Sequence, residues 1–248
     1  MENYTIAESY TLPSKGNMYE TKIKPNIKIR SMTTEEEMKR LGHSDLPYKL
    51  LAEIIDDCLV ENPSVSAYDL CVGDYQFLLH KLRIVTYGPN YNIQTQCPIC
   101  NNINKKVINL EELEVSEYSE GLEKYLNIVL PKTQKKLKLR MQTPRMLDEI
   151  KSRSKDALKK SPNLKGEPAF LFTLESLIEK IDGEVPNPVK LESFIRSLPM
   201  IDANFIIKNI EKINIGINPI IECKCSNCKT IYPNSFPITG EFFGPSID

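Results

Sequence analysis

Tyr91-Asn92-Ile93-Gln94-Thr95-Gln96-Cys97-Pro98-Ile99-Cys100-Asn101-Asn102-Ile103-Asn104 reads as two short strands meeting at a Cys-x-x-Cys turn. The strand-like run before the cysteines is short, and a strand resumes after them at about 103–110. The device recurs near the end of the chain, where 217–223 and 230–238 flank Cys225-Ser226-Asn227-Cys228. Two residues between the cysteines let both thiolates converge on one ion, while N–H groups of the turn stabilise the sulfurs. Two such knuckles complete a tetrahedron, so Cys97, Cys100, Cys225 and Cys228 are predicted to bind one structural zinc ion. Cys223 offers a fifth sulfur on the same strand face as Cys225. It is the second choice, because only Cys225 and Cys228 repeat the spacing of the first knuckle.

Two other chemistries suit such cysteine pairs less well. A redox Cys-x-x-Cys usually opens a helix after a βα turn, whereas strand-like sequence flanks both pairs. A four-cysteine set also suits an iron–sulfur cluster, although knuckle hairpins favour zinc. Four thiolates leave no open coordination position, which makes the site structural and not catalytic. The 124 residues between Cys100 and Cys225 exceed those of a compact zinc ribbon, so the fold must bring the knuckles together.

Outward from the knuckles, 248 residues are enough to bury a core without cross-links, so the metal organises a region and does not rescue a fold. Seven cysteines, an odd number in a chain whose first residues have neither a basic n-region nor an apolar h-region, argue for reduced thiols in a cytosol. No apolar run approaches the roughly 20 residues that span a bilayer. A net charge of −1 gives no overall attraction to phosphate backbones. The usual nucleotide-binding, hydrolase and zinc-protease motifs are absent from the sequence, and no catalytic residues are assigned.

The expected fold class is α+β, with mixed helices and short antiparallel strands. Residues 1–25, rich in turn residues, read as an extended N-terminal arm. Residues 26–142 form an α+β domain carrying the first knuckle: a strand at 26–30, a capping box at Thr33 or Thr34, and amphipathic helices at about 48–59 and 72–87. Two further strands, near 128–130 and 136–141, close it. Residues 143–214 read as a helical subdomain, with Thr143-Pro144 and Asn187-Pro188 opening helices and others at about 169–181 and 201–213. Residues 215–248 carry the second knuckle and a tail ending Phe242-Phe243-Gly244-Pro245-Ser246-Ile247-Asp248.

His43 and His80 lie in different helices, and His80, between Leu79 and Lys81, is expected on a helix surface. Cys58 and Cys71 are expected to be buried free thiols. Lys132, Lys135, Lys136, Lys138 and Arg140 are expected to form a solvated edge strand guarded by lysine.

Four segments together resemble the baseplate hub proteins of T-even and related contractile-tailed bacteriophages. They are Leu12-Pro13-Ser14-Lys15-Gly16 with Tyr19; Ile27–Arg30 followed by Met32-Thr33-Thr34-Glu35-Glu36; Asp74–Leu79 with Leu82-Arg83 and Tyr87-Gly88; and the paired knuckles with Phe242-Phe243 and Pro245-Ser246. The sequence departs from that pattern at Asn101 and Lys229, where knuckles commonly place glycine at positive φ. The resemblance implies a non-enzymatic structural or assembly component of a tail baseplate. It would be made late in infection in the host cytoplasm and join other tail and baseplate proteins in a multi-subunit ring or hub, with no small-molecule substrate and no membrane. The terminal aromatics are then expected to be exposed docking residues. The competing function, a zinc-ribbon nucleic-acid-binding or transcription-related factor, needs a basic face around the knuckles, and the second knuckle has only Lys224 and Lys229 beside Glu222.

Overall fold

The structure, a computed structural model, describes residues 5–161, 166–235 and 240–243. Strands β1 (Ala7–Thr11), β2 (Asn26–Arg30) and β3 (Leu59–Glu61) form an antiparallel sheet in the order β1-β2-β3. Helices α1 (Thr34–Arg40) and α2 (Pro47–Cys58) separate β2 from β3, and α3 (Val72–Tyr87) follows. Next come the hairpin β4 (Asn90–Gln96) and β5 (Ile103–Asn109), then β6 (Val115–Ser116), β7 (Asn127–Val129) and β8 (Lys136–Leu139). Helices α4 (Pro144–Lys160) and α5 (Pro168–Leu177) precede β9 (Ile178–Ile181), and α6 (Pro188–Ser197) and α7 (Met200–Glu211) complete the helical part. The chain returns through β10 (Gly216–Ile217), which pairs with β6, to the hairpin β11 (Ile220–Lys224) and β12 (Ile231–Ser235). With seven helices and several short antiparallel sheets among the described residues, the class is α+β as expected.

Local chemistry explains most boundaries. Thr33 caps α1 through the N–H of Glu35, and the Glu36 carboxylate returns to the Thr33 N–H (2.7 Å), closing the expected capping box. Thr143 and Asn187 cap α4 and α6, each ahead of a proline whose missing N–H costs nothing there. Helix α2 lacks a side-chain cap of its own. Its first N–H groups are met instead by buried Asp148 of α4, which accepts from Lys49 N (2.9 Å) and from Tyr68 Oη (3.1 Å).

Apolar residues gather in two clusters. The first is built from β1 to β5, α2, α3 and the C-terminal hairpin; the second contains Ile128, Leu130, Leu137 and Leu139 together with α5, α6 and α7. Strands β7 and β8, placed with the first domain from sequence, therefore pack with the helices that follow them. Strand β8 is also the middle strand of β7-β8-β9 and not an edge. Its lysines alternate with buried Leu137 and Leu139, and two basic side chains are paired, Lys135 with Asp182 and Lys138 with Glu179 (2.7 Å each). The partner strand β9 replaces the last turn of the helix expected to run to residue 181. Ile178 and Ile181 face Leu139 and Leu137 across the sheet, and that pairing wins over continued helix.

The N-terminal segment, expected as an extended arm, lies along the first sheet and core. Strand β1 pairs along its length with β2, and Leu12, Ser14 and Ile23 are buried. The reason lies at the start of α3, where buried Asp74 accepts hydrogen bonds from the Ser14 N–H (2.9 Å), the Ser14 hydroxyl and the Tyr19 hydroxyl (2.6 Å). The Leu-Pro-Ser-Lys-Gly turn thus wraps a carboxylate sitting in the first turn of a helix, where the macrodipole favours negative charge. Gly16 (φ +75°) is required there, since a Cβ would lie 2.2 Å from the Ile23 carbonyl oxygen. At the same end of α3, a Cβ on Gly73 would meet the Ile215 carbonyl oxygen at 2.0 Å, so β10 can cross that helix only at glycine.

His80 is buried at 1% exposure and not on the surface. Its Nδ1–H is placed to donate to the Gln76 carbonyl (3.0 Å), and its ring packs 5.0 Å from that of Phe242. Burial, with the Lys81 charge beside it, holds its pKa at about 4 against an ordinary 6.5, despite the Gln76 carbonyl. The unfolded chain then takes up a proton that the folded one refuses. The stability held by neutral His80 is complete above about pH 6.5 and is lost as pH falls toward 4. In a series of urea titrations, a His80→Phe variant should lose less stability than the parent across that window, by on the order of 1–3 kcal/mol. Parallel pH profiles for the two would refute the assignment.

Candidate metal centre

Hairpin β4–β5 is in full antiparallel register from Asn90↔Asn109 to Gln96↔Ile103, with Cys97 and Cys100 at its tip. Hairpin β11–β12 repeats the arrangement from Ile220↔Ser235 to Lys224↔Ile231, with Cys225 and Cys228 at its tip. The two turns are chemically equivalent. Cys97 N donates to Asn102 O (3.0 Å) and Asn101 N to Cys97 O (2.9 Å); Cys225 N donates to Thr230 O (2.9 Å) and Lys229 N to Cys225 O (3.1 Å). Asn101 (φ 58°) and Lys229 (φ 63°) take the left-handed conformation that glycine usually supplies in such turns. The Lys229 ammonium donates to Ser226 O (2.7 Å) across its own turn.

The fold brings the tips together. All four thiol sulfurs lie within 4.8 Å of one another, with Cys97 Sγ 3.6 Å from Cys228 Sγ and Cys100 Sγ 3.6 Å from Cys225 Sγ. A tetrahedral ion with metal–sulfur bonds of about 2.3 Å needs sulfurs about 3.8 Å apart. The cluster meets that spacing with one cysteine pair from each hairpin. Cys223 is buried in β11 opposite Tyr232 and lies outside the cluster, so geometry favours Cys225 over it. Cys58 and Cys71 are buried free thiols, as expected.

The electrostatics point the same way. Burial opposes ionisation of Cys225, but N–H groups of Cys228 and Asn227 and the neighbouring sulfurs bring it down to about 6. Cys228 is also lowered, first by the Thr230 hydroxyl, which lies 3.3 Å from its sulfur. The Cys100 N–H favours a thiolate at Cys97, yet burial and the sulfurs of Cys228 and Cys100 push that thiol up to about 11. Like charges this close cannot all form in the bare protein, whereas a divalent cation at their centre favours all four thiolates.

A polar network seals the two hairpins beside the sulfurs. Asn104 Oδ1 accepts from Ser226 N (2.8 Å) and Ser226 Oγ (2.9 Å), while its Nδ2 donates to Tyr232 Oη (3.1 Å), which shares a hydrogen bond with Thr95 Oγ1 (2.8 Å). Thr95, Asn104 and Tyr232 are buried. Sequence reading missed these residues. Their signal was polar side chains at inward-facing positions of three strands, β4, β5 and β12, that a metal alone does not explain.

The C-terminal aromatics overturn another expectation. Phe242 and Phe243 are 0% and 1% exposed, packed edge to face on one another and, through Phe242, on Tyr91 and His80. Buried Arg83 fixes them, its Nε donating to the Phe242 carbonyl (2.9 Å). Pro245 and Ser246 lie outside the described residues.

Away from the cysteines, a large cleft lies between α4, α5 and the start of α6. Its basic side chains are engaged: Arg145 with Asp69 (2.7 Å), Arg153 with Glu175 (2.6 Å), and Arg140 Nε with Ser176 O (2.8 Å). No helix among the described residues is long and apolar enough to cross a membrane.

These features define an α+β protein whose distant hairpins meet at a four-cysteine cluster able to hold a metal ion. The chain belongs to the family described as T4 bacteriophage base plate protein, whose model matches residues 3–244. It is therefore a bacteriophage baseplate protein of a structural family, which implies association with other tail proteins. No curated protein and no solved structure gives a significant match.

Proposed function

We propose that this chain is a structural or assembly component of the baseplate hub, without enzymatic activity, and that Cys97, Cys100, Cys225 and Cys228 hold one zinc ion in it. The observation that carries the reading is a four-cysteine cluster built by two hairpins distant in sequence, in a chain that the baseplate family matches over residues 3–244. The ion closes a loop containing the whole helical part and fixes the hairpin from which the C-terminal segment reaches α3. Zinc supplies no open position here, so its role is to hold shape. The nucleic-acid reading has little support, because Lys106 and Lys229, two of the lysines nearest the knuckles, are engaged with the carbonyls of Glu222 and Ser226.

The protein would act in the host cytoplasm during tail assembly. A phage in which the gene is interrupted should accumulate tail parts without complete baseplates, with plaque formation restored by supplying the chain in trans. Mass spectrometry of finished tails then separates a resident hub subunit from an assembly factor. Normal baseplates and undiminished plaque formation from the interrupted phage would sink the proposal.

A further inference from the structure

The matching hydrogen bonds of the two cysteine turns put Cys97 in register with Cys225, Pro98 with Ser226, Cys100 with Cys228 and Asn104 with Tyr232. The turns are nevertheless held in different ways. Pro98 has no N–H to satisfy and its ring fixes φ at about −65°, so the first turn is shaped by its own residues. Ser226 takes the same place in the second turn, and the other hairpin meets it there. Asn104 Oδ1 accepts from Ser226 N (2.8 Å) and Ser226 Oγ (2.9 Å), and Asn102 Nδ2 donates to the same hydroxyl (3.0 Å). The next N–H groups in the turn, those of Asn227 and Cys228, are directed at the Cys225 sulfur.

Asn104 is itself held from several sides. It lies opposite Thr95 in the register of β4 and β5, so the two side chains share one face. Its Nδ2 donates to Asn102 O (3.1 Å) and to Tyr232 Oη (3.1 Å), which in turn is 2.8 Å from Thr95 Oγ1. Thr95, Asn104 and Tyr232 are buried, whereas Ser226 and Asn227 are exposed. A buried amide with its donors and its acceptor all engaged keeps one orientation, and so offers a fixed acceptor to a turn that lies in solvent. The contact runs one way. Tyr232, which matches Asn104 in register, finds no N–H at Pro98 to hold.

We infer that Asn104 is the positioning residue of the second knuckle: through Ser226 it sets the turn that carries Cys225 and Cys228, so hairpin β4–β5 shapes both halves of the metal site. This rests on the reading that the four cysteines hold zinc. The first knuckle takes its conformation from Pro98, and the second takes its own from docking on Asn104. Release of the ion then starts at the second knuckle, whose Cys228 is exposed while Cys97 and Cys225 are buried.

The test is the rate of zinc release from the full chain into excess chromogenic chelator, for the parent, Asn104→Ala, Ser226→Pro and the double variant. Asn104→Ala should release zinc roughly 10–100 times faster, the range for losing a group that supports metal ligands. Ser226→Pro alone should also be faster, because the proline ring takes the space beside Ser226 N from which Asn104 accepts. Together the two changes give the second turn what Pro98 gives the first, and clear room for the ring. The double variant should therefore be slower than either single variant, by about tenfold against Asn104→Ala, a coupling of the size found between residues in contact. A residue that only fastened the hairpins together would show no such rescue, since proline restores no bond between them.

Unchanged release from Asn104→Ala, or a double variant as fast as the faster single one, overturns the inference and leaves the zinc site standing. A parent that binds no zinc overturns both. Should Asn104→Ala fail to fold or to hold metal, recovery of both in the double variant supports the inference and its absence overturns it.

Discussion

Cys97→Ser is expected to purify with no bound zinc, where the parent should carry one ion per chain by elemental analysis. A serine hydroxyl does not ionise near neutral pH, so the variant offers three thiolates and an open position in place of a closed tetrahedron. Ligand-linked stability then disappears with the ion. At free zinc about 1,000 times the dissociation constant, the loss is roughly 4 kcal/mol. The effect should centre on the second hairpin, because hairpin β11–β12 is bound to β4–β5 by the sulfurs and the Asn104–Ser226–Tyr232–Thr95 network.

Cys223→Ser and Cys58→Ser serve as controls that should keep the ion, since neither sulfur lies in the cluster. An iron–sulfur cluster would announce itself by visible absorption, which the parent should lack. Zinc retained at full stoichiometry by Cys97→Ser would end the proposal. Affinity should also fall with pH, since protons compete for the thiolates that the metal requires.

Arg83→Leu is expected to cost on the order of 3–5 kcal/mol, a large share of the 5–15 kcal/mol typical of a domain. Arg83 is fully buried and donates to three backbone carbonyls: Phe242 (2.9 Å), Gly88 (2.9 Å) and Asn90 (3.4 Å). Its guanidinium also lies over the rings of Tyr87 (4.9 Å) and Tyr91 (5.8 Å). It therefore joins the end of α3, the start of β4 and the C-terminal segment at one point. Leucine fills part of the volume but strands buried carbonyls, each costing about 1–3 kcal/mol.

Arg83→Lys should rescue little, because a single ammonium on a flexible stem cannot reproduce a planar fork reaching three directions. Urea unfolding gives the stability change, and limited proteolysis should release the C-terminal residues first. An unfolding midpoint within error of the parent would show that the Arg83 bonds do not hold that segment.

Legibility in the sequence followed the range of the interaction. Helix α3, expected at about 72–87, spans Val72–Tyr87, because its apolar spacing and the Gly88-Pro89 stop are local. The capping box at Thr33 and the proline-led starts of α4 and α6 were likewise read from adjacent residues. The last part of the helix expected at 169–181 went to strand β9, since residues 178–181 pair with a strand about 40 positions earlier. Strand β8 was misread as an edge for the same reason: its second partner comes after two intervening helices.

The sequence by itself determined the four cysteines, their pairing into two knuckles and the need for distant parts of the chain to meet, because ligand type and spacing are properties of short segments. Only the tertiary structure decided that Cys225 and not Cys223 faces the first knuckle. It also decided that Ser14 wraps Asp74, that His80 is enclosed, and that Phe242 and Phe243 are buried in the first core. Their burial depends on partners 60 residues away for Ser14 and 159 away for Phe242, and no local pattern carries that information.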